Sequence, residues 1–152
     1  RENMDIRAVA EPDKLAYQDL LLLADEQMDM VERYLHRGEM FALWDQGEVK
    51  SICVVTQEGD EVYELKNMAT RPSCQRQGYG KRLVQFLLEH YRGKGNVLYV
   101  GTGDSPQTLG FYQSCGFVPS HVVPRFFTDH YDHPIFENGV QLVDMIYLKA
   151  YL

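Results

Sequence analysis

The sequence predicts a mixed α/β (α+β) domain in which about four helices pack against a single, mostly antiparallel sheet of about seven strands. Two observations lead to this fold class. Between residues 40 and 70, apolar and β-branched residues form short runs separated by turn residues, as in a strand meander. On either side, over residues 12–35 and 78–91, apolar residues recur at helical spacing. The 152 residues are predicted to form one domain, residues 1–152, large enough to bury a core.

The N-terminal region is predicted to run strand, helix, helix. Residues 5–9 alternate in polarity as a short first strand. Residues 12–24 follow as a helix, since proline is tolerated in a first helical turn. Residues 28–35 form a second helix, which Gly38 ends. The apolar faces consist of Leu15, Leu22 and Leu23 in the first helix and of Met28, Val31 and Leu35 in the second.

A meander of three strands is predicted next. Residues 45–48 (DQGE) form a hairpin turn between the first two strands, and residues 58–60 (EGD) form the second turn. Pro72 follows the third strand and ends it, because proline cannot donate to a central ladder. The predicted strands are residues 40–44, 49–56 and 62–70.

The C-terminal half is predicted to contain two helices and three strands. Residues 78–91 form a strongly amphipathic helix that Gly93 ends. A second helix begins with Ser105 as its N-cap and Pro106 as its first residue. The remaining predictions are a strand over 97–100, the second helix over 106–114, strands over 117–127 and 141–152, and a loop over 128–139.

The charge and cysteine content restrict the class of protein. With 22 acidic and 15 basic residues the formal charge is −7, which argues against a nucleic-acid partner. The longest aliphatic run, residues 20–24, is far shorter than the roughly 20 residues that span a bilayer. No basic segment followed by an apolar stretch opens the chain, and Cys53, Cys74 and Cys115 are widely spaced. These features predict a cytoplasmic protein with free thiols and no membrane partner.

Residues 75–81 (QRQGYGK) predict an anion-binding site. Gly78 and Gly80 open the amphipathic helix, where the first backbone amides have no partner within the helix and the helix dipole favours negative charge. A flexible turn is the alternative for the glycine pair alone. From residue 65 to residue 88 the chain has no acidic side chain, which favours the anion site. The basic residues in that interval are Lys66, Arg71, Arg76, Lys81 and Arg82.

Two familiar phosphate motifs do not fit this segment. A P-loop requires Ser or Thr after Gly-Lys, and Arg82 follows Lys81. A dinucleotide fingerprint requires a third glycine where Leu83 stands, and the antiparallel hairpins upstream do not belong to that fold.

Two segments together resemble a known family. Residues 67–72 (NMATRP) with 75–81, followed by 111–117 (FYQSCGF), resemble the two signatures of the GNAT superfamily of acetyl-CoA-dependent N-acyltransferases. The resemblance extends from about residue 6 to residue 148 and implies the GNAT fold, with acetyl-CoA as co-substrate. Residues 130–139 resemble a small bacterial subgroup, some of whose members are named IAA acetyltransferase.

The resemblance assigns roles to individual residues. Tyr112 falls at the family's general-acid tyrosine, and Glu64 aligns with a strand carboxylate that some members use as general base. Ser105 stands where many members have an asparagine that contacts the pantetheine arm, so that contact is open. The implied cofactor-binding residues are Met68, Ala69 and Thr70 for the pantetheine and Gln75, Arg76, Gln77, Gly78, Tyr79, Gly80 and Lys81 for the pyrophosphate.

Both catalytic assignments have a simpler alternative. Tyr112 has the chemistry to protonate a departing thiolate of pKa about 8.5, but it also suits packing beside Phe111. Glu64 suits an exposed ion pair with Lys66 as well as proton removal from the amine. Strict alternation puts Glu64, Lys66 and Met68 on one face of the strand, and a bulge would change that parity.

The predicted activity is transfer of acetyl from acetyl-CoA to the primary amine of a small molecule, by direct attack in a ternary complex. Acetylation of a protein or peptide is one alternative, and a CoA-binding sensor without catalysis is another. No metal is predicted, because His130 and His133 lie in a loop beside Pro134. Aromatic residues of this region indicate an acceptor pocket or a homodimer contact: Phe126, Phe127, Tyr131 and Phe136.

Overall fold

The chain folds around one mixed sheet. The structure, a computed structural model, describes residues 4–152, so Arg1, Glu2 and Asn3 of the predicted domain lie outside the described residues. Within that range seven strands form the main sheet, in the order β1-β2-β3-β4-β5-β9-β6, and β7 pairs only with β8. The strands are β1 (Asp5–Ala8), β2 (Glu39–Asp45), β3 (Glu48–Gly59), β4 (Val62–Thr70), β5 (Val97–Thr102), β6 (Val118–Val123), β7 (Phe136–Glu137), β8 (Val140–Gln141) and β9 (Met145–Tyr151).

Of the six neighbouring pairs in the main sheet, only β4 and β5 run parallel. The predicted fold class is therefore confirmed, and the β2–β3–β4 meander lies close to its predicted bounds. The hairpin turn between β2 and β3 has positive φ at Gln46 and Gly47, 56° and 80°, which suits the right-handed twist of a hairpin.

Helices cover both faces of the sheet. Because side chains alternate along a strand, Ile52 and Val54 of β3 pack with the first two helices, whereas Cys53 and Val55 pack with the third and fourth. Among residues 4–152, no helix is both long and apolar enough to cross a membrane. The helices are α1 (Gln18–Ala24), α2 (Met28–Val31), α3 (Tyr79–Tyr91), α4 (Pro106–Ser114) and α5 (Phe126–His130), with 3-10 segments at Glu11–Tyr17 and Pro72–Cys74.

The first predicted helix is wrong over its first half. Glu11–Tyr17 winds as a 3-10 helix, and the α-helix begins only at Gln18. A 3-10 helix has three residues per turn, so a face drawn at 3.6 residues per turn does not continue through it. Leu15 and Leu23 of the predicted apolar face are accordingly 49% and 54% exposed. The second helix is also shorter than predicted, because the chain continues as turns after Val31.

The C-terminal prediction needs three corrections. The last strand, predicted over 141–152, begins only at Met145. The strand predicted over 117–127 ends at Val123, and the chain then forms α5. The region predicted as a loop, 128–139, contains the end of α5 and the strand β7. β7 and β8 form a hairpin whose turn residues, Asn138 and Gly139, have positive φ of 52° and 80°. An Asn-Gly pair is a strong hairpin signal that locates this turn in the sequence.

Residues 126–142 form a third layer over the sheet. Phe127, Ile135 and Leu142 make a small core of their own. Two backbone hydrogen bonds hold the segment closed, from the Phe127 amide to the Val143 carbonyl at 2.9 Å and from the Leu142 amide to the Ile135 carbonyl at 2.8 Å. We call residues 126–142 the C-terminal cover.

A β-bulge interrupts β4. The register with β3 shifts at Lys66, which is the extra residue. Leu65 and Met68 therefore pack against the same core beneath α3, although strict alternation would place them on opposite faces. Asn67 lies on the other face, where its side-chain amide donates to a backbone carbonyl of α1 at 3.0 Å. The alternation expected from the sequence thus fails at Lys66.

Lys14 holds the 3-10 segment onto the turn after α2. Its ammonium donates to the carbonyls of Leu35 at 2.8 Å and Gly38 at 2.7 Å, and its side chain is only 4% exposed. Lys14→Met keeps the stem but leaves both carbonyls without a donor, so we expect unfolding free energy to fall by about 3 kcal/mol in urea denaturation. Lys94→Met is the control, since the exposed Lys94 makes a single carbonyl contact and should change stability by under about 0.5 kcal/mol. Equal stability of the two variants would contradict this account.

Candidate active site

A cavity of about 430 Å³ opens where β4 and β5 separate. The last residues that pair across these strands are Leu65 and Val100, although β4 continues to Thr70 and β5 to Thr102. The cavity lies between the diverging ends. Its wall includes residues 65–68 of β4, residues 100–103, the Thr108 and Tyr112 side chains of α4, the end of α1 and the C-terminal cover.

The segment predicted to bind an anion, residues 75–81, lies at the start of α3. Gly78 is the N-cap residue and has φ +86°, a left-handed conformation that glycine adopts without strain. The Arg82 amide is bonded to the Gly78 carbonyl at 3.0 Å, so the preceding amides of the first turn are left for an outside partner. A Cβ on Gly80 would lie 3.7 Å from the end of the Met68 side chain, and Met68 lines the cavity. The anion site and the cavity are therefore neighbours.

The basic residues between positions 65 and 88 fall into two groups in the structure. Lys66 is paired with Glu64 at 3.2 Å, and Arg71 donates to the Val49 carbonyl at 2.6 Å. The remaining basic side chains, Arg76, Lys81 and Arg82, are exposed around the start of α3.

Two predicted pyrophosphate residues have side chains engaged elsewhere. The Tyr79 side chain is buried, and its hydroxyl donates to Asp45 at 2.7 Å. The Gln75 amide donates to the Thr70 carbonyl at 3.3 Å. Only their backbone groups, like those of Gln77 and Gly80, are in a position to serve the anion site.

The predicted pantetheine residues occupy the unpaired end of β4. Met68 lines the cavity, whereas Ala69 packs on the opposite face and the Thr70 hydroxyl contacts the Ser51 hydroxyl at 2.9 Å. The backbone of these residues has no partner on β5 and is therefore open to a ligand. Ser105 is the N-cap of α4 as predicted, but it is buried and its side chain makes no capping hydrogen bond.

Tyr112 lines the cavity from α4. Its ring is 7% exposed and packs edge-on against Phe111 and Phe117, at centroid distances of 5.0 and 5.5 Å. Burial raises the pKa of Tyr112 above the ordinary tyrosine range. The hydroxyl therefore stays protonated at neutral pH.

Glu64 lies next to the cavity wall. Its carboxylate accepts a hydrogen bond from the Tyr147 hydroxyl at 2.9 Å and forms an ion pair with Lys66 at 3.2 Å. The side chain is 12% exposed. The ion pair with Lys66 that the simpler alternative expects is present, but the carboxylate is mostly buried, and Lys66 rather than Glu64 lines the cavity.

A carboxylate that the sequence did not single out lies on the cavity wall. Asp25, at the end of α1, accepts hydrogen bonds from the Tyr34 hydroxyl at 2.9 Å and from the Tyr131 hydroxyl at 2.6 Å. The Asn67 side-chain amide donates in turn to the Tyr34 hydroxyl at 3.0 Å. Burial raises the pKa of Asp25 above its ordinary range, although the two tyrosines oppose this shift.

His133 ties the C-terminal cover to the loop after α1. Its ring nitrogens contact Asp132 at 2.6 Å and Glu26 at 2.8 Å. These two carboxylates raise the pKa of His133 above its ordinary value. Across residues 4–152, no group of three or more His, Cys, Asp or Glu side chains is arranged to hold a metal ion.

Sequence comparisons identify the family. Residues 36–119 match the profile of the acetyltransferase (GNAT) domain. A Bacillus subtilis (strain 168) protein named "uncharacterized N-acetyltransferase YvbK" is 40% identical over 132 residues, which cover 86% of this chain and 85% of that protein. The chain belongs to the GNAT acetyltransferase family.

Solved GNAT structures resemble the whole chain. A GNAT family acetyltransferase from Elizabethkingia anophelis, crystallised with acetyl-CoA bound, is 33% identical with a TM-score of 0.93, and the match covers 100% of both chains. The IAA acetyltransferase from Bacillus cereus ATCC 14579 is 31% identical with a TM-score of 0.92, covering 99% of this chain and 100% of that one.

The residues that match the GNAT profile line only part of the cavity. Residues 36–119 contain the anion site and Tyr112, whereas Asp25 and the C-terminal cover lie outside the matched range. The wall that the GNAT profile describes is therefore the one beside the anion site, and the opposite wall is contributed by other parts of the chain.

Gly78→Ala tests the anion site. Its Cβ meets nothing within 4 Å in the protein, so it would enter the space beside the first amides of α3, and the positive φ would cost about 1 kcal/mol of stability. We expect the Kd for acetyl-CoA, measured by calorimetry, to rise roughly tenfold.

Gly93→Ala is the matched control, because Gly93 has φ +83° and equally open surroundings at the other end of α3. It should lose similar stability and keep its affinity for acetyl-CoA. Equal Kd values for the two variants would place the anion elsewhere.

Proposed function

We propose that the chain transfers the acetyl group of acetyl-CoA to a primary amine of a small molecule. The observation that carries this proposal is the cavity between β4 and β5, which has the anion site beside one end and an acidic, aromatic wall at the other. A phosphate-bearing cofactor suits the first end, and a cationic amine suits the second.

The cofactor would lie along the unpaired end of β4. Its pyrophosphate would accept hydrogen bonds from backbone amides at Gln77–Lys81, with Arg76 and Lys81 adding positive charge. The pantetheine arm would pair with the β4 backbone at Met68–Thr70, and Ser105 lies at the start of the neighbouring helix. The acetyl-CoA bound in the Elizabethkingia anophelis structure supports this cofactor.

The reaction proceeds by direct attack in the ternary complex. The uncharged amine attacks the thioester carbonyl carbon, a C–N bond forms, and the C–S bond breaks as the amine loses its second proton. Tyr112 protonates the departing thiolate and regains a proton from the amine nitrogen or from solvent. A protonated hydroxyl on the cavity wall supports this assignment of Tyr112.

An alkylammonium of pKa near 10 must lose a proton before it can attack. We assign Glu64 as the general base, which would take the proton through a bridging water, since its ion-pair partner Lys66 lines the cavity and Glu64 itself does not. The mostly buried carboxylate at the edge of the cavity supports this role.

A thiol-release assay tests the proposed function. Acetyl-CoA is offered with a panel of small amines (2-phenylethylamine, tyramine and spermidine) and with a lysine-containing peptide. Turnover with a small amine supports the proposal, and turnover with the peptide alone indicates a protein acetyltransferase. Tight CoA binding with no turnover on any acceptor would indicate a sensor.

Tyr112→Phe should lower kcat about 100-fold, because the thiolate then leaves without a proton donor. The Kd for acetyl-CoA should stay within about twofold, since the ring packing is kept. Tyr151→Phe removes a hydroxyl from a side chain that is 72% exposed and serves as the control. Full turnover of Tyr112→Phe would leave Tyr112 with a packing role.

Glu64→Gln should remove the rise of kcat/KM with pH that ionisation of the base gives the wild type. Glu89→Gln alters an exposed carboxylate on α3 and should keep the wild-type profile. If the wild-type and Glu64→Gln profiles coincide across the acid limb, the base is a different group.

A further inference from the structure

Asp25 is a partly buried carboxylate without a basic partner. Both of its oxygens accept a tyrosine hydroxyl, from Tyr34 and Tyr131. The charged side chains that act on it are themselves acidic, Asp29 and Glu26. Carboxylates removed from water are normally paired with a cation, and within residues 4–152 no basic side chain contacts Asp25.

The missing cation has space on the cavity side of Asp25. Asp25 and Glu26 line the cavity from the end of α1, and Glu137 lines it from the C-terminal cover, where it accepts a hydrogen bond from the Thr108 hydroxyl of α4 at 2.5 Å. Among residues 4–152, the lysine on the wall is Lys66, which is paired with Glu64, while Glu26 is paired with His133. The potential at this end of the cavity therefore favours a positively charged ligand.

A second observation points to a ligand in the same place. Asn67 lines the cavity beside this network and is 3% exposed. Its side-chain nitrogen donates to the Leu21 carbonyl and the Tyr34 hydroxyl, while within the described residues its buried Oδ1 atom has no partner. An unpaired buried acceptor is costly, and a ligand N–H would satisfy it.

Aromatic side chains complete the wall. Phe127, Tyr131 and Phe136 of the C-terminal cover line the cavity, and Phe136 is 58% exposed even though it is a large apolar side chain. Aromatic faces attract cations and cover apolar ligand surface. A carboxylate on the ligand would instead meet Asp25, Glu26 and Glu137.

We infer that Asp25 binds the ammonium group of the acceptor, and that the acceptor is a cationic primary amine on an apolar or aromatic body, with no carboxylate beside the amine. The inference rests on the proposed function, since it names the acceptor class of the same cavity. Asp25 would bind and orient the amine, and Glu64 would remove its proton.

Two probe ligands isolate the charge. 2-Phenylethylamine and L-phenylalanine share the amine and the ring, and differ by the carboxylate. Each is titrated by calorimetry at pH 7 into the protein saturated with CoA. Wild-type protein should bind 2-phenylethylamine at least tenfold more tightly than L-phenylalanine, and equal or reversed affinities would overturn the acceptor class.

Asp25→Asn keeps the size of the side chain and removes its charge. It should raise the Kd for 2-phenylethylamine at least tenfold, so that the Kd values for 2-phenylethylamine and L-phenylalanine become more similar. The exposed change Asp60→Asn, in the turn between β3 and β4, has the same effect on net charge and should leave both affinities within twofold. If Asp25→Asn binds 2-phenylethylamine as tightly as wild type, Asp25 has no role in acceptor binding.

Folding does not obscure the result. Because burial raises the pKa of Asp25, stability that the protonated carboxyl contributes is lost as pH rises through that pKa. Wherever the carboxyl is ionised its charge opposes folding, so Asp25→Asn should melt at the same temperature as wild type or higher. Tyr34→Phe keeps the charge of Asp25 and removes one hydrogen bond to it. It should therefore raise the Kd for 2-phenylethylamine less than Asp25→Asn does. An equal or larger loss in Tyr34→Phe would make Asp25 a structural residue.

The thiol-release assay separates this inference from the proposed function. A tenfold rise in KM for the amine with kcat little changed in Asp25→Asn supports amine binding, whereas a fall in kcat alone contradicts it. Wild-type protein that binds 2-phenylethylamine through Asp25 but acetylates no amine would overturn the proposed function and keep the cation site. If the protein acetylates amines equally well with and without the Asp25 carboxylate, the proposed function stands and the cation site is overturned.

Discussion

The separation of β4 from β5 after Leu65 and Val100 is the constraint on which the site depends. Two parallel strands that stay paired would leave no space and no unpaired backbone in the middle of a sheet. The β4 bulge at Lys66 directly follows Leu65, the last residue of β4 that pairs with β5. The bulge therefore reverses which face of the sheet the following side chains point to, at the position where β4 and β5 separate. Met68 thereby faces α3 and its anion site, while Asn67 faces α1 and the network around Asp25.

The two ends of the cavity have opposite electrostatic character. The first amides of α3 and the exposed Arg76 and Lys81 lie beside the Met68 side of the cavity, whereas Asp25 and Glu26 line it from the end of α1. A chain of net charge −7 would repel an anionic cofactor without such a local region, and the same net charge attracts a cationic acceptor. In the proposed reaction, the positions of these charges decide from which side each substrate enters.

Several buried polar groups near the cavity carry a cost in stability. Among the described residues, Asp25 has no basic partner and the Asn67 Oδ1 atom has no hydrogen bond. Groups of this kind are retained where a ligand satisfies them, since activity and maximal stability often conflict at a site. The tyrosines around Asp25 limit the cost, because they hydrogen-bond the carboxylate without neutralising it.

The sequence by itself determined what depends on neighbouring residues: the turn at Gln46 and Gly47, the bounds of β4 and the helix after Gly78. Local periodicity and glycine placement set these features, and the two signatures identified the family. Tertiary contacts decided the rest. The 3-10 winding of Glu11–Tyr17 accompanies the burial of Lys14 against carbonyls more than 20 residues away, and the cover over 126–142 is fixed by its own small core. Asp25 belongs to the candidate site only because Tyr131, 106 residues later, folds back onto it, a contact that no local pattern encodes.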